Sequence, residues 1–200
     1  ATNGYEIKYN GEFAHIIKDW NLGFKAQFNS PNYAINFFGY GNNSFNPQTG
    51  ENENRDYNRV RIRKAIAGTF LKWQGELGAK ITFAANFQNF DIEKTSNRFL
   101  ETQYAAGNSI FKAQSFFNTE ARYHYNHTNN PAFTTLGLTF DALLGHNRNL
   151  NKINSFSYAT SSIAITHKLI PSGKLVIASK VNGYFTFGNN FEFYQFMPYK

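Results

Sequence analysis

The sequence contains no cysteine, only one methionine and five prolines among its 200 residues. Without cysteine, the chain has neither disulfides nor thiolate metal sites. No window approaches the run of about 18 apolar residues that a transmembrane helix needs, which excludes a spanning helix. Acidic residues are also scarce: 13 Asp and Glu face 20 Lys and Arg, a net charge of +7. That charge alone permits nucleic acid, anionic lipid or lipopolysaccharide as a partner.

Aromatic residues are abundant, with 22 Phe and 12 Tyr, yet the mean hydropathy is -0.50. A chain this aromatic and this polar must separate the two kinds of residue finely along the sequence. The stretch from Leu77 to Gln88 does so, because every odd position is apolar while most even positions are polar or small. Such alternation is typical of a β-strand with one apolar face and one polar face.

Period-two alternation recurs along the whole chain and predicts eight strands, with no competing helical period. The predicted strands are Tyr5 to Ile17, Leu22 to Tyr40, Arg59 to Trp73, Leu77 to Asp91, Ala113 to Asn126, Phe133 to Leu144, Phe156 to Leu169 and Lys174 to Phe187. We expect residues 1–200 to form one continuous segment of β-structure, without division into domains.

The connections between these strands alternate in length. Short turns such as Pro171-Ser172-Gly173 alternate with long polar loops such as Gly41 to Asn58. An up-and-down meander across a bilayer produces this pattern, and the predicted strands exceed the usual globular length of about 5 to 6 residues. The sequence therefore predicts an all-β, antiparallel, up-and-down transmembrane β-barrel. A soluble sandwich or closed soluble barrel remains the alternative.

A barrel of this kind assigns its residues to two surfaces. The polar register predicts a basic lumen lining of Lys8, Lys25, Arg59, Arg61, Arg63, Lys80, Arg122 and Lys180. This lining is either an anion-preferring passage or the paired polar interior that any barrel needs. Strand ends predict interfacial aromatic residues, as in the girdles of membrane barrels, at Tyr5, Trp20, Tyr40, Trp73, Tyr125, Phe185 and Phe187.

Motifs for enzymatic chemistry are not found. The sequence has no GxSxG elbow, HExxH helix or phosphate-binding glycine loop. His124 and His127 are three residues apart, on opposite faces of a strand, so they do not chelate a metal together. The run from Arg59 to Lys64 is better interpreted as a lumen or rim lining than as a nucleic-acid strip. We expect no enzyme, metal, cofactor or nucleic-acid partner.

Several segments resemble one protein family. The segment Ile35-Asn36-Phe37-Phe38-Gly39-Tyr40-Gly41-Asn42 and the following Tyr57 to Lys64 resemble early barrel strands of the BamA-like bacterial surface-antigen family, in the version seen in Bacteroidota. Leu169 to Val176 and Phe187 to Gln195 are similar to later parts of that family. In such barrels the latter segment precedes a Gly-rich loop with a Leu-Arg-Gly-aromatic motif, which folds back into the lumen.

The resemblance implies a partial chain, about eight strands of a sixteen-stranded barrel in the bacterial outer membrane. It also implies a membrane anchor with a role in outer-membrane protein insertion or translocation. The expected partners are outer-membrane lipid, lipopolysaccharide, and other strands of the same barrel or subunits of a membrane complex. Two alternatives stay open. One is a complete eight-stranded pore or adhesin, and the other is the barrel anchor of a calcineurin-like phosphoesterase.

Overall fold

A computed structural model describes residues 4–30, 32–39, 56–105, 107–188 and 191–195. These residues form one antiparallel sheet of nine strands. The strands are β1 (Glu6–Ile17), β2 (Trp20–Asn29), β3 (Ala34–Asn36), β4 (Arg59–Gln74), β5 (Ala79–Ile92), β6 (Gln114–Thr128), β7 (Leu136–Asn149), β8 (Ser155–Lys168) and β9 (Val176–Phe187). The predicted all-β, antiparallel, up-and-down arrangement is confirmed, because strands adjacent in the chain pair with each other.

The sheet is open. Its order is β1-β2-β4-β5-β6-β7-β8-β9, and the short β3 pairs with the start of β4. Within the described residues, β1 pairs only with β2 and β9 only with β8. The described strands therefore do not close into a barrel.

Two predicted strands have different bounds in the structure. The strand expected from Leu22 to Tyr40 stops at Asn29, and only Ala34–Asn36 resumes pairing. Tyr33 donates its backbone N–H to the Ser30 carbonyl at 2.9 Å, which turns the chain between the two pieces. Leu77 was expected to begin a strand, but it lies in the turn Glu76–Gly78 with a φ of 57°. The alternation of LGAKITFAANFQ therefore begins at Ala79.

The connections lie at two ends of the sheet. The loop end carries the described residues of 30–58 and 93–113 together with 150–154, and the turn end carries 18–19, 75–78, 129–135 and 169–175. The prediction that long and short connections alternate strictly is wrong for residues 150–154, which form a short connection at the loop end. The reason is that β7 continues to Asn149, beyond the expected end at Leu144.

The main hydrophobic core lies at the loop end. It is made by strand residues together with the helix α1 (Phe99–Gln103) and the 3₁₀ turns Ser109–Phe111 and Phe193–Gln195. Its buried members are Val60, Ile62, Phe90, Ile92, Leu100, Ile110, Phe116 and Phe193. Residues 191–195 follow β9, yet the Phe193 ring stacks 4.3 Å from that of Phe37, which precedes β4. The loops thus close over one end of the sheet.

Two glycines allow aromatic rings to lie flat on the sheet. A Cβ at Gly23 would occupy the space of the Phe70 ring, and one at Gly145 would occupy that of the Tyr158 ring. In each case the ring belongs to the residue directly opposite the glycine on the adjacent strand, because Gly23 pairs with Phe70 and Gly145 pairs with Tyr158. Aromatic rings that cover glycines in this way stabilise a curved sheet.

Candidate functional surfaces: the two faces of the sheet

Strand pairing divides the side chains between two faces. We call one the apolar face, because one of its rows runs uninterrupted across eight strands through Phe13, Leu22, Leu71, Phe83, Ala121, Leu144, Ala159 and Phe185. The other, the polar face, carries Lys8 and the residues that pair in register with it. The strict alternation along each strand places every second residue on the same face.

The apolar face is exposed. Val181 is 67% exposed, Leu144 64%, Ile7 61% and Phe185 59%, and no other described part of the chain covers them. Monomeric soluble proteins rarely expose a contiguous apolar patch larger than a few hundred Å². A surface of this size needs an apolar environment or a partner.

The predicted interfacial aromatic residues lie at strand ends on the apolar face. Trp20 and Trp73 are paired with each other at the turn end, where Tyr125 pairs with Ala79. Tyr5 immediately precedes β1, and Phe185 and Phe187 close β9, all at the loop end. Tyr40 lies outside the described residues.

The eight predicted lumen residues do not share one face. Lys8, Lys25, Lys80, Arg122 and Lys180 lie on the polar face, as their pairing shows. Arg59, Arg61 and Arg63 lie on the opposite face, at the loop end, so the prediction is wrong for these three. The reason is that the alternate residues Val60 and Ile62 enter the core beneath the loops, which turns the arginines away from it.

Each of these arginines pairs with an acidic residue. Arg61 contacts Glu93 at 3.1 Å and Arg63 contacts Asp91 at 3.2 Å. Arg59 contacts Asp56 at 3.0 Å, and this hydrogen bond holds the pKa of the Asp56 carboxyl below its usual value. The run of basic residues that stood out in the sequence is therefore a row of ion pairs beside the loops.

Ion pairs also cross the polar face. Lys72 and the Asn21 amide both bind the Glu12 carboxylate. Farther along the sheet, the Arg122 guanidinium lies 2.8 Å from Asp141, which also contacts His124 Nδ1 at 3.1 Å. These contacts join charges from neighbouring strands, so part of the polar face is internally neutralised.

Buried amides occupy the centre of the polar face, and the sequence reading missed them. Asn86 and Asn118 are 2% and 1% exposed, and the Asn86 amide donates to Asn118 at 3.0 Å. Nearby, Asn149 donates to the Gln114 side-chain oxygen at 2.9 Å. The available signal was that Asn86 and Asn118 each occupy a polar position of a predicted strand, whereas Asn147 lies beyond the predicted strand end at Leu144.

Other classes of site have little support in the structure. Within the described ranges no group of His, Asp and Glu residues is arranged to hold a metal ion. His124 bonds Asp141 on the polar face, whereas the His127 ring stacks on Tyr125 on the apolar face, so the two do not form a pair. None of the described helices combines the length and apolar character needed to cross a membrane.

Comparison with protein-family models, with curated proteins and with solved structures found no match to this chain. The likeness to the BamA-like family therefore stays a prediction, based on the motifs quoted above.

Proposed function

We propose that this chain is part of an outer-membrane β-barrel of the BamA-like surface-antigen type. It anchors the protein in the membrane and contributes to the insertion or translocation of other outer-membrane proteins. The observation that carries the proposal is the exposed apolar face, which is continuous across eight strands. Lipid hydrocarbon is the environment that such a face fits, because it covers apolar side chains without requiring a second sheet.

The dimensions of the apolar face support a bilayer. On the long strands its uncharged part covers about 9 to 11 residues, the length that a tilted transmembrane strand needs. Examples are Ala65 to Trp73 on β4 and Leu136 to His146 on β7. Within those described stretches, no Asp, Glu, Lys or Arg points to this face. Trp73 ends the β4 stretch at the turn end, as expected of an aromatic girdle at a membrane interface.

A soluble sandwich accounts less well for the same two faces. In a sandwich the apolar face packs on a second sheet and the polar face meets water. Here the apolar face is exposed, while the polar face holds buried amides such as Asn86 and Asn118. Chain segments that follow β5 and β9 cover the polar face rather than the apolar one.

The arginine row supports lipopolysaccharide as a partner. Arg61, Arg63 and Arg148 lie on the apolar face at the loop end, just beyond its uncharged part. Guanidinium groups bind phosphate bidentately, and Arg61 and Arg63 already pair with Glu93 and Asp91, so among these three Arg148 suits the phosphorylated sugars of an outer leaflet. The loop end would then face the cell exterior.

The open edges support completion by further strands. Backbone groups left unpaired at the outer edges of β1 and β9 would be costly within hydrocarbon, because lipid offers no hydrogen bonds. Strands of the same larger barrel, or of another subunit, would satisfy them. The proposed anchor of a phosphoesterase stays a prediction, since the described residues hold only the sheet and its loops.

One observation favours the smaller alternative, an eight-stranded pore or adhesin. Lys25 of β2 and Tyr184 of β9 line the same cavity, so the sheet already curls strongly around its polar face.

Cysteine scanning distinguishes an eight-stranded barrel from a larger one, and the natural chain has no cysteine to interfere. Tyr9→Cys is combined in turn with Ile177→Cys, Ser179→Cys, Val181→Cys and Gly183→Cys. A disulfide requires Cα atoms within about 7 Å, so bond formation in any pair supports closure of β1 on β9 and contradicts the larger barrel.

The membrane placement is tested with tryptophan fluorescence. Trp20 and Trp73 are the two tryptophans of the chain and lie side by side at the turn end of the apolar face. In vesicles containing brominated lipids, we expect bromines near the headgroups to quench them more than bromines near the chain ends. The single variants Trp20→Phe and Trp73→Phe report each position separately. Free access of an aqueous quencher with no effect of the brominated lipids would refute the membrane placement.

A further inference from the structure

A cavity of about 350 Å³ lies on the polar face beneath the turn Phe193–Gln195. Lys25 and Lys64 line one side of it, and the side chains of Tyr194 and Gln195 line the side nearest the loops. Its volume lies at the lower end of the range of small-molecule sites, about 300 to 1,000 Å³. Because it is on the polar face, the cavity is independent of what covers the apolar face.

A directed chain of hydrogen bonds ends at this cavity. The Glu120 carboxylate only accepts, so the Tyr158 hydroxyl donates to it at 2.7 Å. The Tyr158 oxygen in turn accepts from the Asn118 amide nitrogen at 2.9 Å. The Asn118 side-chain oxygen accepts from the Asn86 amide nitrogen at 3.0 Å. Because the Glu120 carboxylate can only accept, it fixes which atom donates in every hydrogen bond of the chain. The Asn86 side-chain oxygen at the other end is left as an acceptor without a donor.

Two more polar atoms of the cavity wall lack a partner. Asn147 Oδ1 and Gln195 Nε2 are both buried and form no hydrogen bond within the described residues. Asn86 and Asn147 are 2% and 4% exposed, so neither oxygen is satisfied by bulk water. Buried polar atoms nearly always have a partner, which makes three orphans in one cavity a sign of a missing molecule.

The required chemistry of that molecule follows from the three atoms. Two acceptors need donors, and one amide nitrogen needs an acceptor. A carboxylate supplies no donor to the asparagine oxygens, inorganic phosphate brings negative charge toward the Glu120 carboxylate in the wall, and a cation meets Lys25 and Lys64. Hydroxyl groups both donate and accept. Aromatic rings on the wall, with Phe90 and Tyr194 at 4.9 Å between centroids, offer apolar contact to the C–H faces of a ring.

We propose that this cavity binds a small, uncharged polyhydroxylated solute of about monosaccharide size, hydrogen-bonded to Asn86, Asn147 and Gln195. Such binding goes beyond anchoring, since it gives the polar face a ligand of its own. The ligand would enter the cavity from the aqueous phase, because the residues that line the cavity lie on the polar face.

Binding is tested on the folded protein in lipid nanodiscs by saturation-transfer NMR with glucose, N-acetylglucosamine and inorganic phosphate as separate probes. We expect saturable binding of at least one sugar and none of phosphate. Asn147→Leu removes an acceptor that no described residue uses, so we expect it to keep the fold and to weaken sugar binding about tenfold or more. Gln195→Leu removes the donor outside the strands and should weaken it similarly.

The control is Thr166→Val, on the polar face of β8, whose strand neighbours Gly137 and Ala178 do not line the cavity, and it should leave sugar affinity within about twofold. Failure of both sugars to bind would mean that the cavity holds water only and would overturn the proposal. Sugar binding that survives both Asn147→Leu and Gln195→Leu, or that phosphate displaces, would overturn it as well. Insertion into the nanodiscs is measured separately, so a failure of sugar binding is distinguishable from a failure of the membrane placement.

Discussion

The two faces of this sheet reverse the arrangement found in most soluble β-proteins. On the apolar face, Val181 and Leu144 are 67% and 64% exposed, whereas on the polar face Asn118 and Gln114 are each 1% exposed. Both faces are built from the same strands by the same alternation of residues. Alternation thus fixes which residues share a face, but the surroundings of the sheet decide which face is buried.

The difference has a physical cause on each side. Amides on the polar face are buried because they bond one another across strands and because the loops pack over them. Apolar side chains are exposed because no described segment reaches them. If hydrocarbon covers the apolar face, both faces lie away from water. The polar face then forms hydrogen bonds between its own amides, and the apolar side chains contact lipid.

A charge at the centre of the apolar face is expected to have the largest effect. Ile163 lies near the middle of β8 and is 40% exposed. In a bilayer, Ile163→Arg should lower the free energy of unfolding by about 2 to 4 kcal/mol, whereas an exposed site in water would change by about 0.5 kcal/mol or less. Urea titration of the protein folded into vesicles measures the difference.

The matched control is Ser162→Arg, one residue earlier and therefore on the polar face beside Asp141. It should change the free energy of unfolding far less than Ile163→Arg. Equal effects of the two substitutions would remove the distinction between the faces.

The next effect concerns the amides of the polar face. Asn118→Leu leaves the Asn86 amide and the Tyr158 hydroxyl oxygen without their partner, which should cost about 1 to 3 kcal/mol. The control is Thr119→Val on the apolar face, expected to change unfolding by about 0.5 kcal/mol or less. Chemical denaturation checks both, and a stabilised Asn118→Leu protein would contradict the inferred network.

The sequence predicted the strands better than their surroundings. Alternation from Ala79 to Ile92 located β5, because a period of two is a local property of the chain. The positions of Arg59, Arg61 and Arg63 were wrong because they depend on Val60 and Ile62 packing against Phe193, more than one hundred residues away. Long-range contacts of this kind leave no mark on the local pattern.

The same limit applies to the candidate site. The buried amides lie in register across β5, β6 and β7, but their burial depends on the turn Phe193–Gln195 crossing the sheet. Likewise, the expected alternation of loop lengths failed where β7 extended to Asn149, beyond the predicted end at Leu144. Gly145, the first residue past that end, makes room for the Tyr158 ring.

That role predicts a moderate effect at Gly145. A methyl group there would overlap the Tyr158 ring, so Gly145→Ala should cost about 1 to 2 kcal/mol and should disturb the hydrogen bond to Glu120. Gly107→Ala is the control, because a Cβ at Gly107 meets nothing within 4 Å. Thermal or urea unfolding of the two variants measures the difference, and a neutral Gly145→Ala would show that the ring moves freely.

The smallest effect is expected at the boundary of the apolar face. Arg63 and Asp91 form an ion pair at 3.2 Å, just beyond the uncharged stretch of β4. At headgroup level, Arg63→Gln should change the free energy of unfolding by about 0.5 kcal/mol or less, because exposed ion pairs contribute little. Within hydrocarbon, removing the guanidinium would leave the Asp91 carboxylate unpaired and would lower the free energy of unfolding by about 3 to 5 kcal/mol. Unfolding in vesicles at low and high salt distinguishes the two, and a loss of that size would place the edge of the apolar face farther toward the loops than Arg63.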